Sequence, residues 1–177
     1  NVRCVLHSVN KGIGMALRSG YTAASKEYVC AVPGDGQFDV NELLGIKPFS
    51  FDTFYSYFRP TTNYNPYRKF LNLSNRLFNN FLLGIKLTDV NWIKVYRKDQ
   101  LDFVQMEMHS SIVESEICAK LMKAGCVPIE LPSVYHERKS GASKGGSWKT
   151  LRQVIVEMLS HYLLIRKFDK KFDPPIT

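Results

Sequence analysis

The chain has 177 residues, of which 45% are hydrophobic, 12% aromatic and 23% charged. That balance excludes a disordered tail, a collagen-like repeat and a low-complexity linker, and it supplies the apolar side chains of one core. Basic residues outnumber acidic ones 24 to 16, and the excess is concentrated: residues 138–177 carry nine Lys/Arg against three Asp/Glu, a net of +6, while the preceding residues carry a net of +2. A basic block of this kind implies an anionic partner, whether phosphate, nucleic acid or an anionic membrane surface.

In chain order, residues 2–7 form a short apolar run with the composition of a buried strand. Asn10-Lys11-Gly12-Ile13-Gly14 is a glycine-rich turn leading into a helix over 15–25. A second apolar strand covers 28–32 and ends at the punctuation Pro33-Gly34-Asp35-Gly36. A short helix begins at 41 and stops near Gly45 and Pro48; the aromatic segment 51–58 reads as a strand, and 61–66 as a polar loop. Residues 67–83 have helical spacing, with Phe70, Leu73, Leu77, Phe81 and Leu82 on the apolar positions and Gly84 as the stop. A strand at 93–96 and a helix at 112–123, ended by Gly125, follow. Residues 127–135 form a strand whose two prolines place it at a sheet edge. After a Gly/Ser/Lys loop at 139–146, Trp148, Leu151, Ile155, Leu159, Tyr162 and Leu163 line one side of a helix over 148–168. Alternating strands and helices predict an α/β layer architecture.

Cys4, Cys30, Cys118 and Cys126 form no C-x-x-C pair; Cys4 and Cys30 sit among β-type apolar residues and read as small buried hydrophobes. With no disulfide framework or zinc spacing, a reducing compartment is expected. No signal-peptide pattern and no run of about 20 apolar residues occurs. The chain opens on Asn1 rather than Met, so it is expected to begin partway into a longer protein.

Three stretches hold the chemistry. In the first, Asp35 and Gln37 present hard oxygens two residues apart in a glycine-flanked turn beyond a strand, which suits Mg²⁺ or Mn²⁺ shared with phosphate oxygens and water. The same turn also reads as exposed geometry built from Asp and Gly. In the second, Gly12-x-Gly14 is half of a dinucleotide fingerprint, but Leu17 stands at the third glycine position and no acidic residue closes a strand about 20 residues on, so a dinucleotide site is rejected. In the third, Arg138, Ser143 and Lys144 lie in a glycine-rich loop able to wrap an anion, and the same residues also describe a solvated basic loop.

In order and spacing these stretches resemble the family 2 glycosyltransferases, in the branch that makes polyprenyl-phosphate sugars, to which dolichol-phosphate mannose synthase belongs. Asn10-x-Gly12-x-Gly14-x-Ala16, Gly34-Asp35-Gly36-Gln37-Phe38-Asp39 and Arg138-x-x-Gly141-x-Ser143-Lys144 carry the resemblance. The segment 89–97 and the Glu116 helix fall at the expected intervals, and the likeness extends to about Leu163. One departure is Pro33, where the family usually has the first Asp of Asp-x-Asp. The other is that the family's opening nucleotide-binding segment would precede Asn1.

The resemblance implies an A-type glycosyltransferase fold, a single Rossmann-like sheet flanked by helices and N-terminally incomplete. Residues 1–146 would form the larger C-terminal part of the transferase domain, and residues 147–177 an amphipathic helix and basic tail. It implies metal-dependent transfer of a hexose, with inversion, from a nucleotide-diphosphate sugar to a polyprenyl phosphate. Asp35 and Gln37 would hold Mg²⁺ or Mn²⁺; Arg138, Lys144 and Ser143 would close over the diphosphate; and Arg59 and Arg68 would meet the lipid phosphate. Asp89 and Glu116 match family positions without a role that the residues themselves suggest. The protein would be cytoplasmic and peripheral at the cytoplasmic face of a membrane, with the 148–168 helix lying on an anionic surface. Alternatively that helix packs on the sheet or on a second subunit, making a homo-oligomer.

The contrasting expectation is a non-catalytic basic module binding a membrane surface or nucleic acid. Nucleic acid is disfavoured because the cations sit on one loop and one helix, far in sequence from the aromatic segment 51–58.

Overall fold

The structure is a computed structural model that describes residues 2–60, 73, 76, 77, 79–110, 112–136, 162, 163 and 165–169. The predicted loops at 61–66 and 139–146 lie outside the described residues, as does most of the 148–168 helix. The chain is α/β. Helix α1 (Ile13–Ala23) precedes strand β1 (Tyr28–Cys30), a 3₁₀ helix (Val40–Gly45) and strand β2 (Thr53–Phe58). Strand β3 (Lys94–Arg97) runs directly into helix α2 (Lys98–Val104), and helix α3 (Val113–Lys123) precedes strand β4 (Val127–Pro132). The described residues of 79–83 and of 162–167 are also helical.

The four strands form a mixed sheet of order β1-β3-β2-β4. β3 is antiparallel to both β1 and β2, with Cys30 and Tyr55 opposite Val95, and β4 is parallel to β2, with Phe58 opposite Pro132. Three strands therefore run one way and β3 the other, so the carboxyl ends of β1, β2 and β4 lie at the same end of the sheet as the start of β3. β4 stands at the edge, as its prolines require: a central strand would lose a ladder hydrogen bond at each one.

Strand alternation separates two cores. Phe54 and Tyr96, both fully buried, face the helices with Tyr21, Leu101, Val104, Ile117 and Leu121. Tyr57, Val95 and Ile93 face the other way and pack with Phe38, Phe49 and Trp92 under the 3₁₀ helix. Each large side chain so buried contributes about 1.5–3 kcal/mol.

Polar ties fix the helices. Glu114 accepts hydrogen bonds from the hydroxyls of Tyr21 on α1 and Tyr96 on β3, the latter at 2.7 Å, and so joins both to α3. Burial, with Glu114 beside them, pushes both tyrosines well above their usual range. Glu116, expected at a family position, has a structural place: it is buried, accepts the amides of Glu107 and Met108 at 2.8 and 2.9 Å, and pairs with buried Lys120 at 2.7 Å. Lys120 also reaches the Gln105 carbonyl at 2.9 Å, so the pair pins the 105–108 segment to α3. Removing either partner of such a pair would strand a buried charge.

Several expectations change. Residues 2–7 are not a buried strand: Val2, Val5 and Leu6 are exposed and carry no regular structure. Apolar content marks a segment as able to be buried, but burial needs a neighbouring strand, and this run pairs with none among the described residues. Cys4 is exposed and Cys30 half-buried, whereas Cys118 and Cys126 are the buried thiols. α2 is an element the sequence reading missed. It is held by Gln100, whose side chain accepts the Arg97 amide and donates to the carbonyls of Phe51 and Thr53. Of the residues placed on the apolar face of the 67–83 helix, Leu82 packs half-buried against the core, Leu73, Leu77 and Phe81 are exposed, and Phe70 lies outside the described residues.

In the Gly12-x-Gly14 signature, Gly14 has a packing role. A Cβ on Gly14 would lie 2.0 Å from the Ser110 carbonyl oxygen and 2.2 Å from that of His109, so α1 can approach this segment only through a glycine. Gly20, on the same helix, has nothing within 4 Å of its would-be Cβ. Gly14→Ala should lower unfolding stability by about 2–3 kcal/mol, and Gly20→Ala should raise it by up to about 1 kcal/mol, both read from urea midpoints.

Burial pushes the thiols of Cys118 and Cys126 up to about 11. At pH 8 iodoacetamide should label Cys4 first in the native protein and reach Cys118 and Cys126 only after unfolding, as mapped by peptide mass spectrometry.

Candidate functional site

The common end of β1, β2, β4 and β3 gathers residues that are far apart in sequence. Beyond β1, Gly36 takes a φ of 72°, a left-handed conformation that glycine adopts at little cost, and the turn brings Asp35 and Gln37 to the strand end. Asp35 Oδ1 accepts the Gln37 amide at 3.2 Å, and both residues are half-buried. Phe38, next in the chain, is buried in the aromatic core against Tyr57 and Trp92 at ring-centroid distances of 5.5 and 6.0 Å, and this anchors the turn.

Beyond β4 the chain crosses back toward this turn. The Ser133 amide extends the ladder to the Phe58 carbonyl at 2.9 Å, and the His136 amide donates to the Gln37 carbonyl at 3.1 Å. Between them, the Gln37 side-chain amide donates to the Tyr135 hydroxyl at 2.5 Å. Glu42 of the 3₁₀ helix accepts the Val134 amide at 3.0 Å and the Ser133 hydroxyl at 3.3 Å, holding the segment from the other side.

Beyond β2, Arg59 forms a two-pronged ion pair with Asp89, at 2.7 Å from Nε and 3.2 Å from the terminal nitrogen. Both side chains are largely shielded, at 17% and 14% exposure. The Arg59 guanidinium lies 4.5 Å from the Trp92 ring centroid and 5.9 Å from that of Tyr135. Arg59, expected at a lipid phosphate, is thus charge-matched within the protein, and Asp89 acquires a definite place as its partner. The indole N–H of Trp92 is buried with no hydrogen-bond partner among the described residues.

The turn carrying Asp89 and Trp92 is organised by Lys94. Its side chain is buried, and its ammonium donates to the carbonyls of Asp89, Val90 and Trp92 at 2.9, 3.1 and 3.0 Å. These three bonds use all three of its donors.

The structure therefore brings Asp35, Gln37 and Arg59 to one end of the sheet and adds Tyr135, Trp92 and Asp89, which the sequence reading did not single out as site residues. Trp92 and Asp89 stand one and four residues before a strand expected at 93–96 and inside the 89–97 segment of the family resemblance, the sequence signals that could have located them. Arg68, Arg138, Ser143 and Lys144 lie outside the described residues. The carboxylate of Asp35 and the carboxamide of Gln37 are hard-oxygen donors that fit Mg²⁺ or Mn²⁺ in kind. Among the described residues no group of three or more His, Cys, Asp or Glu gathers as a metal cage, so such a cation would complete its shell with phosphate oxygens and water.

No protein-family model, curated protein or solved structure matches the chain.

If Lys94 organises the site-bearing turn, Lys94→Met, which strands three carbonyls, should cost about 3 kcal/mol of stability. Lys86→Met, on an exposed side chain of the same approach, should stay within about 0.5 kcal/mol. Urea unfolding of the two variants measures the difference.

Proposed function

We propose that the protein is a metal-dependent glycosyltransferase that moves a hexose, with inversion, from a nucleotide-diphosphate sugar to a polyprenyl phosphate. The observation that carries this reading is the convergence of Asp35 and Gln37, Arg59 and Tyr135 from three parallel strands onto one sheet end, where α/β sheets bind ligands. The order and spacing of the three sequence motifs support it independently, and a small mixed sheet flanked by helices is compatible with the A-type glycosyltransferase fold.

In this reading a phosphate oxygen of the acceptor attacks the anomeric carbon. The bond from that carbon to the diphosphate breaks, and its electron pair leaves with the nucleoside diphosphate. The acceptor is already anionic at neutral pH, so the protein has no proton to remove; its task is to hold two anions in line and offset the leaving charge. Asp35 and Gln37 would hold Mg²⁺ or Mn²⁺, which when bound neutralises the departing diphosphate. Arg138, Ser143 and Lys144 would close over that diphosphate, and Arg68 would meet the acceptor phosphate. Arg59, already paired with Asp89, would shape the site beside it.

A peripheral position at an anionic bilayer, where a polyprenyl acceptor resides, is supported by exposed Leu73, Leu77 and Phe81, which recur every fourth residue. Among the described residues no helix is long and apolar enough to cross a membrane.

The test is transfer of radiolabelled hexose from UDP- and GDP-hexoses to polyprenyl phosphate in detergent, with Mn²⁺ or EDTA. Transfer should require Mn²⁺ or Mg²⁺, invert the anomeric centre by NMR, and fall at least about hundredfold in Asp35→Ala. Absence of transfer from every nucleotide hexose, or full activity in a folded Asp35→Ala variant, would overturn the proposal.

A further inference from the structure

We infer that a groove on the helical side of the sheet binds an anionic phospholipid, with an acyl chain along its apolar lining and the headgroup phosphate among its cations; this rests on the peripheral position at a bilayer but not on glycosyl transfer. The groove, of about 680 Å³, runs between the helical residues of 79–83, the end of α3 and the helical residues of 162–167. That volume falls in the range of sites that hold small organic molecules. The groove is separate from the candidate site. Met122 and Lys123 end α3 just before the turn into the amino end of β4, whereas Asp35, Gln37 and Arg59 stand beyond the carboxyl ends of strands.

Four apolar side chains line it. Ile165 is buried, Leu82 and Met122 are half-buried, and Phe81 is 88% exposed. Leu77, one turn earlier on the same helix, and Leu163, next to Tyr162, are exposed as well, so the apolar surface continues outward from the groove.

Lys86, Lys123 and Arg166 line the same groove, and all three are exposed. No Asp or Glu lines it among the described residues. Lys123 donates to the carbonyls of Ile165, at 3.3 Å, and Arg166, which uses two of its three donors. Arg166 donates to the Tyr162 hydroxyl at 3.0 Å and lies 5.5 Å from that ring centroid. Among the described residues none of the three meets a carboxylate, whereas Arg59, Arg97, Lys98 and Lys120 each do. Three uncompensated positive charges therefore surround an apolar channel. A free phosphate would use the cations and leave the aliphatic lining wet, and a nucleic acid would do the same. An uncharged lipid would use the lining and leave the cations unmatched. An anionic phospholipid satisfies both.

The experiment is flotation of the full chain with vesicles of phosphatidylcholine alone and of an equimolar mixture with phosphatidylserine. The chain should float with the mixture only. Lys86→Gln combined with Arg166→Gln should weaken that binding about 25-fold, about fivefold for each cation. Lys123 is kept because it also holds the carbonyls of Ile165 and Arg166. Lys26→Gln combined with Lys47→Gln removes the same charge from exposed positions outside the groove and should change binding less than about twofold. Phosphatidylserine with a photoreactive acyl chain should crosslink to peptides containing Phe81, Met122 or Ile165, as mapped by mass spectrometry.

Flotation that ignores lipid charge, equal losses in the two double variants, or acyl-chain crosslinks confined to other segments would each overturn the groove while leaving the peripheral position in place. A chain that floats with neither vesicle, or that binds a DNA oligonucleotide through Lys86 and Arg166 in place of vesicles, would overturn the peripheral position and the groove with it.

Discussion

The ammonium of Lys94 lies in the interior where β3 begins, and its three donors meet three carbonyls of the turn before it. An unpaired charge at that depth would cost many kcal/mol, so the turn is obliged to fold around the lysine with those carbonyls inward. That obligation fixes the positions from which Asp89 and Trp92 project. Asp89 then grips Arg59, Arg59 lies over Trp92 and beside Tyr135, and Tyr135 holds the side chain of Gln37. A contact on one side of the sheet thereby sets the geometry of a cluster that spans the ends of three strands.

Strand direction makes this possible. With β3 antiparallel between β1 and β2, the segment entering β3 lies beside the segments leaving its neighbours. A fully parallel arrangement of the same strands would have put Asp89 and Trp92 at the opposite end of the sheet from Arg59. β4, parallel to β2 and at the edge, brings Tyr135 to the same end, and its edge position leaves the chain free to fold back over the turn at Gln37.

The helical side is held differently. Glu114 and Glu116, two residues apart near the start of α3, each serve a separate network: one gathers two tyrosine hydroxyls, the other two backbone amides and Lys120. Buried ionic groups of this kind add little net stability compared with apolar packing, but each is expensive to break. They fix where the 105–110 segment lies, and the contact of Gly14 with the His109 and Ser110 carbonyls requires that segment to be in place. The aromatic side of the sheet relies on ring packing among Phe38, Phe49, Tyr57 and Trp92, with the Arg59–Asp89 ion pair laid over Trp92.

The sequence by itself determined the alternation of strands and helices, the stops at Gly84 and Gly125, the prolines' confinement of β4 to an edge, and the turn that carries Asp35 and Gln37. Each follows from signals contained in a few adjacent residues: β-branched and aromatic runs, glycine and proline punctuation, and helical periodicity. Tertiary structure alone decided which segments are covered. Residues 2–7 have the composition of a strand yet lie exposed, because burial depends on a neighbour that the run's own residues do not specify. α2 escaped notice because its seven residues are anchored by Gln100 reaching carbonyls some fifty positions away, a contact with no trace in local spacing. Asp35 and Gln37 could be singled out from their turn, but their neighbours at the site could not. Gln37 meets Tyr135 across 98 positions, and Arg59 meets Asp89 across 30. Such pairs are set by strand order and direction, and these are settled by how the two faces of the sheet bury their side chains rather than by any single stretch of the chain.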